Sequence, residues 1–160
     1  MGITATAKTK VGIGTTTPFA TATEYAGDTY VSIGNITDVG EAGSEAEVLV
    51  RKYVDRDFTH KLKGSRDNGT MSLVVDRDSG DAGYMALIAA EKTPHAYNFC
   101  VELNDKPATG ASPQNSKFYF SAIVASAQNA FGGADDVVAT TFALAISGPI
   151  IEVAASATAP

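Results

Sequence analysis

Two histidines and one cysteine are the residues of this 160-residue chain best suited to chemistry, and their spacing argues against it. His60 and His95 belong to no His-x-x-x-His or Cys-x-x-Cys pattern of the kind that holds a metal. Cys100 with His95 would make a thiol and base pair. However, Tyr97, Phe99, Val101 and Leu103 alternate with Asn98, Cys100, Glu102 and Asn104, which sets Cys100 on the face away from a core and leaves His95 ahead of the strand. A small surface or interface residue is the simpler reading of Cys100. Asp55-Arg56-Asp57 and Asp76-Arg77-Asp78 offer carboxylate pairs, but an arginine divides each pair and the order of a calcium loop is missing, so strand-end solvation or interface ion pairs are expected. Gly12-Ile13-Gly14 follows no strand signal and does not read as a phosphate loop. No acid/base, nucleophile or metal constellation is present, so neither an enzyme nor a cofactor is expected.

The charges are more informative, because they are sorted by sign. Asp38, Glu41, Glu45 and Glu47 occur together with no base among them, and Arg51, Lys52, Arg56, Lys61, Lys63 and Arg66 follow at once. Those six bases are half of the chain's twelve, so the basic character is concentrated in one segment. A run of Lys and Arg is usually a solvated face. Here the low apolar content between Val54 and Arg66 leaves a long hairpin poorly supported by the body, and such segments are commonly ordered by a partner. An acidic flank beside a basic arm can offer one sign to one copy of the chain and the other sign to the next, a head-to-tail design suited to rings and stacks. These ten residues are therefore the expected self-association surface.

A chain of this length with 44% hydrophobic residues can bury one core, and one domain with tails is expected. Its formal net charge of −6 argues against a general nucleic-acid binder. One cysteine rules out an intrachain disulfide and fits a reducing cytoplasm. Residues 1–20 have no apolar run, so no secretory signal is expected and the Asn35 and Asn68 sequons are expected to carry no meaning, and no segment approaches the ~20 apolar residues that span a bilayer. Met1, Gly2 and Thr6 fit a loose myristoylation pattern without a polybasic companion, so no membrane anchor is expected.

The elements that must position these residues are mostly strands. Residues 1–28, rich in Thr, Ala and Gly, read as an arm of low intrinsic order that docks elsewhere. Strands are expected at 30–36, 45–53 and 57–63, and the Asn68-Gly69 turn signals a hairpin into a half-buried strand at 70–76. Tyr84, Leu87, Ile88 and Glu91 fall at helical spacing, with Asp78 or Ser79 as the cap and Pro94 beyond the end. Strands follow at 97–103, 117–127, 137–147 and 150–153. In the third of these, Val138, Thr140, Phe142, Leu144 and Ile146 form a bulky face, and Val137, Ala139, Thr141, Ala143 and Ala145 a small one. The expected fold is mainly β, a β-sandwich or open barrel of about seven strands with one short flanking helix. Its domain runs over 29–154, with a long hairpin loop at 54–69 and a flexible tail at 155–160.

Several local runs in this order resemble the tail tube (major tail) proteins of long-tailed, non-contractile bacteriophages. They are Ile36-Thr37-Asp38-Val39-Gly40, Lys61-Leu62-Lys63-Gly64, Asn68-Gly69-Thr70-Met71-Ser72-Leu73, Asp78-Ser79-Gly80-Asp81-Ala82-Gly83 and Ala143-Leu144-Ala145-Ile146-Ser147-Gly148-Pro149. The resemblance covers roughly residues 30–153. It implies a structural subunit of the virion tail, assembled in the host bacterial cytoplasm into hexameric rings that stack as a conduit for the genome. It also implies that the hairpin at 54–68 orders on the adjacent ring and that the partners are further copies, tape measure, tail terminator and distal tail proteins. DNA would pass without specific binding, past an acidic lining for which Glu102, Asp135 and Asp136 are candidates. The same fold resembles the tubes of contractile tails and of type VI secretion. A monomeric β-sandwich module binding carbohydrate or another ligand is the competing expectation, weakened by the absence of tryptophan.

Overall fold

Alternation of large apolar with smaller or polar residues at 96–102, 117–124 and 139–146 sets the body of the fold, because each such strand presents one continuous apolar face. The computed structural model describes residues 2–158. In it, β1 (Lys10–Ile13), β2 (Val31–Ile33), β3 (Ile36–Asp38), β6 (Thr70–Asp76), β7 (Ala96–Glu102), β8 (Lys117–Ala130) and β9 (Ala139–Val153) form one antiparallel sheet in the order β2-β1-β7-β8-β9-β6-β3. β4 (Glu45–Arg51) and β5 (His60–Asp67) pair only with each other. Two helices, α1 (Ala22–Ala26) and α2 (Ala82–Glu91), complete the chain.

The two edge strands are consecutive in sequence, and only Gly34 and Asn35 separate β2 from β3. Three peptide links span at most about 11 Å, so the sheet has to curl until its edges nearly meet. Asn35 makes the corner with a left-handed φ of 56°, a conformation asparagine tolerates better than most residues. Helix α2 packs against the edge strand β2, against β1 and against β8. Its N-cap Asp81 accepts the Tyr84 N–H at 2.9 Å and the Gly34 N–H at 3.1 Å, which ties helix start and sheet corner together. Inside the curl, Phe99, Phe120, Phe142, Leu73, Leu87 and Leu144 are fully buried, and each contributes about 1.5–3 kcal/mol of hydrophobic stabilisation. The Tyr84 hydroxyl shares a buried hydrogen bond of 2.9 Å with the Thr140 hydroxyl, so these two buried polar tips satisfy each other.

The mainly β architecture and the flanking helix are as the sequence predicts, and four local expectations are corrected. The N-terminal segment is not an arm throughout, since β1 lies inside the sheet between β2 and β7, and residues 14–30 lie over the outer face. There Tyr25 stacks on Tyr119 with ring centroids 5.7 Å apart, and the Asn98 amide donates to Thr17 O at 2.8 Å and to Asp28 Oδ2 at 3.0 Å. The outward aromatic Tyr119 is thus covered by the chain's own N-terminal segment. The expected strand at 30–36 is split into two by the Gly34-Asn35 corner. Ser147-Gly148-Pro149 does not end a strand. It falls where the β8–β9 register shifts, and a bulge tolerates a proline without an N–H. Finally Asp81 caps α2, while Asp78 accepts the Gly80 N–H at 2.9 Å in a turn of its own.

The docked N-terminal segment should be acid-labile. Burial pushes the Asp28 carboxyl up, but hydrogen bonds from the Asn98 side chain, from Thr15 and from the Thr29 N–H outweigh it and hold the group below its usual range. A depressed carboxyl stabilises the docked state fully above its ordinary pKa and loses that contribution as pH falls through the lowered value. Protection of the amides of residues 14–30, relative to their intrinsic exchange rates at each pH, is expected to fall on acidification and to be several-fold lower at neutral pH in Asp28→Ala. Unchanged exchange in that variant would show that the tyrosine stack alone holds the segment.

Candidate self-association surface

The ribbon formed by β4 and β5 stands apart from the core. Its register pairs Glu45 with Asp67, Ala46 with Arg66, Val48 with Lys63, Leu49 with Leu62, Val50 with Lys61 and Arg51 with His60. Directly paired residues in an antiparallel ladder share a face, and neighbours along a strand alternate. Lys61 and Lys63 therefore lie on one face with Val48 and Val50. Arg66 has the opposite parity in sequence, but the irregularity between Ala46 and Val48 sets two β5 residues, Gly64 and Ser65, against Glu47 alone and brings Arg66 onto the same face. The result is a face with three cations and small apolar residues. The reverse face carries Glu45, Glu47 and Asp67 near the root, Leu49 and Leu62 in the middle, and Arg51 with His60 toward the tip. Over the root half of the ribbon, charges sorted along the chain become charges sorted by face.

None of the ten expected association residues has an intrachain ion pair among the described residues, where Lys117 with Glu102 at 4.0 Å is the one bridge formed. Asp38 ends β3 and accepts the Gly40 N–H at 2.8 Å, Glu41 lies in the loop 39–44, and Lys52 and Arg56 sit in the tip, residues 52–59. Arg56 lies 5.4 Å over the Tyr53 ring, a cation–π contact that organises an otherwise open loop. The two carboxylate pairs also gather no metal-binding cluster among the described residues.

What the sequence reading missed is the apolar content of this ribbon. Val48, Leu49, Val50, Tyr53, Val54, Phe58 and Leu62 are exposed, seven of the thirteen large exposed hydrophobics among the described residues. Val48, Leu49 and Val50 look like an ordinary buried strand in sequence, and only their pairing with a basic strand outside the core reveals otherwise. A two-stranded ribbon is marginally stable alone, and single exposed apolar residues are normal whereas a concentration of them marks a contact surface. The Asn68-Gly69 turn is present, with Gly69 at φ 67°, but it joins the ribbon to β6 and the two strands it connects do not pair.

Other sequence candidates take quieter roles. Cys100 lies under Tyr30 and Tyr119, and burial pushes its thiol up to about 11, the reverse of an activated nucleophile. Glu102 is held by Lys117 and by the Asn115 amide at 2.8 Å, so its charge is largely offset. Asp135 and Asp136 lie in the exposed β8–β9 connection, where Asp136 accepts the Gly133 N–H at 2.6 Å. The capping box of α1, with Thr21 and Glu24 bonding each other's backbone, has the sequence signature Thr-x-x-Glu.

Solved structures share this fold. The SPP1 tail tube superposes with a TM-score of 0.66 at 14% identity, over 90% of this chain and 75% of that one. A chain from the anti-feeding prophage baseplate gives 0.64 at 12% identity, over 96% and 98% of the two chains. A chain from the sheath/tube terminator of the PVC extracellular contractile injection system gives 0.64 at 11%, over 96% and 99%. No protein-family model matches the chain, and no curated protein does. The chain has the tail tube fold.

Proposed function

We propose that this protein is the structural subunit of a bacteriophage tail tube, self-assembling into hexameric rings that stack into the conduit for genome delivery. The observation that carries this is the β4–β5 ribbon, whose cationic and acidic faces find no partner within the chain and whose apolar side chains are uncovered. Opposite signs on opposite faces favour a heterologous contact, which closes into rings or propagates as filaments. The role is structural rather than catalytic, and it places the protein in the virion tail, assembled in the host cytoplasm, with tape measure, tail terminator and distal tail proteins as its further partners. DNA passes without being held, because a surface of net charge −6 repels phosphate. Asp135 and Asp136 suit an acidic lining better than Glu102, whose charge Lys117 offsets.

Assembly should depend on concentration and salt. Negative-stain images and light scattering are expected to show dispersed subunits when dilute and rods when concentrated, with slower growth as added salt shortens the Debye length below about 8 Å. A chain that stays monomeric at every concentration and ionic strength would overturn the proposal and favour a monomeric binding module.

A further inference from the structure

The charge of this chain is divided between ribbon and body. Residues 48–66 hold six of the twelve bases and two of the eighteen acids, a net +4, which leaves −10 on the rest of the chain. A chain that is acidic as a whole thus carries one strongly cationic projection, and a local patch of this kind, rather than the net charge, decides where a polyanion binds. On the face shared by Lys61, Lys63 and Arg66 every base is exposed, and Val48 and Val50 beside them add no charge. Lys61 and Lys63 follow each other about 7 Å apart along β5. Beyond them, at the tip, Phe58 is 87% exposed, so its ring is open to stacking, and Tyr53 is half exposed with the Arg56 guanidinium 5.4 Å over its ring. We propose that the ribbon of the dispersed subunit binds single-stranded nucleic acid, with Lys61, Lys63 and Arg66 on the phosphates and a base stacked on Phe58.

A row of cations beside an exposed aromatic ring holds unpaired bases without reading their sequence, because the cations follow the backbone and the ring takes the π-face that every base presents. A duplex hides those faces, so a single strand suits the ribbon better. The tip also discriminates against a membrane surface. Asp55 and Asp57 lie between Val54 and Phe58, so inserting the apolar tip would carry two carboxylates out of water, whereas a strand lying along β5 leaves them solvated. Glu45, Glu47 and Asp67 stand on the reverse face and do not oppose the phosphates. The same cations serve the assembly contact, so the two uses exclude each other: a subunit within a rod has no free ribbon, and the conduit does not retain its cargo there. This exclusion rests on the proposed tube role, while the binding itself does not.

The test is the fluorescence anisotropy of a labelled oligothymidylate titrated with dilute, dispersed full chain. Binding is expected at low salt and should weaken about tenfold or more between about 50 and 200 mM salt, the dependence expected of about three phosphate contacts on a single strand. Phe58→Ala removes no charge. It should weaken oligothymidylate binding about fivefold or more and leave binding of inorganic polyphosphate unchanged, whereas reversing Lys61, Lys63 and Arg66 to Glu should abolish both. Excess oligothymidylate should delay rod growth, and finished rods should hold less of it per subunit than dispersed chains do. No binding at low salt, binding that survives the charge reversal, or binding indifferent to Phe58→Ala would overturn the site, as would co-sedimentation with phosphatidylserine vesicles in place of oligonucleotide binding. Rods that hold as much oligonucleotide per subunit as dispersed chains would overturn the exclusion. A chain that binds the strand but never assembles would overturn the tube role alone.

Discussion

Rods are expected not to grow from a variant in which Lys61, Lys63 and Arg66 are changed to Glu, although the subunit should fold normally. The fold is untouched because the ribbon shares no strand pairing with the main sheet, and all three side chains are exposed or half-exposed with no intrachain carboxylate partner among the described residues. An exposed ion pair contributes only about 0.2–1 kcal/mol, but reversal replaces attraction by repulsion at three positions of one face and in every subunit of a ring. Far-UV circular dichroism should match the unaltered chain while light scattering stays flat. General self-repulsion is separated from a specific contact by a charge swap: mixing with a second variant carrying Glu45→Lys, Glu47→Lys and Asp67→Lys should restore growth, since the altered faces again carry opposite signs. Rods from the first variant alone would remove the cationic face from the assembly contact.

The division between what the sequence displays and what it conceals follows contact range. The strands at 96–102 and 139–146 and helix α2 carry their own periodicity, and each was legible because every residue in them obeys one environment. β1 carries almost none. Val11 and Ile13 are two apolar residues in a four-residue strand, and what places them is pairing with β7 far along the chain. The corner at Gly34-Asn35 was concealed for a related reason, since a run reading as one strand belongs to two opposite edges of the sheet. At the association surface, the residue types and their order along the chain were legible. Their sorting by face was not, because it depends on a bulge that changes the parity of Arg66. The apolar half of the surface was invisible, since a Val-Leu-Val run looks the same whether a core or another molecule covers it.

Helix α2 meets the edge strand β2 in a close approach at Gly83, and that approach should reverse the usual sign of a glycine substitution. Exchanging Gly for Ala in a helix ordinarily stabilises by about 1 kcal/mol. Gly83 is different. A Cβ built there would lie 2.3 Å from the Ser32 carbonyl oxygen and 2.6 Å from the Ile33 Cα, both backbone atoms of β2, so relief requires the helix or the edge strand to move. Overpacking of this kind costs about 1–3 kcal/mol, more than the helix gains. Gly83→Ala is therefore expected to lower the thermal midpoint by several degrees, and Gly83→Val to leave little folded protein at ambient temperature, both followed by circular dichroism. Ala89, on the exposed side of the same helix, provides the control: Ala89→Gly should cost only about the ordinary 1 kcal/mol. The effect reaches assembly through the chain itself, because β2 leads through the Asn35 corner into β3 and then through the loop 39–44 into the ribbon. A loosened contact there frees the ribbon's root, so Gly83→Ala should slow rod growth in proportion to its loss of stability, whereas the charge reversals abolish growth with none. A Gly83→Ala chain as stable as the original would show that helix and edge strand are not locked together.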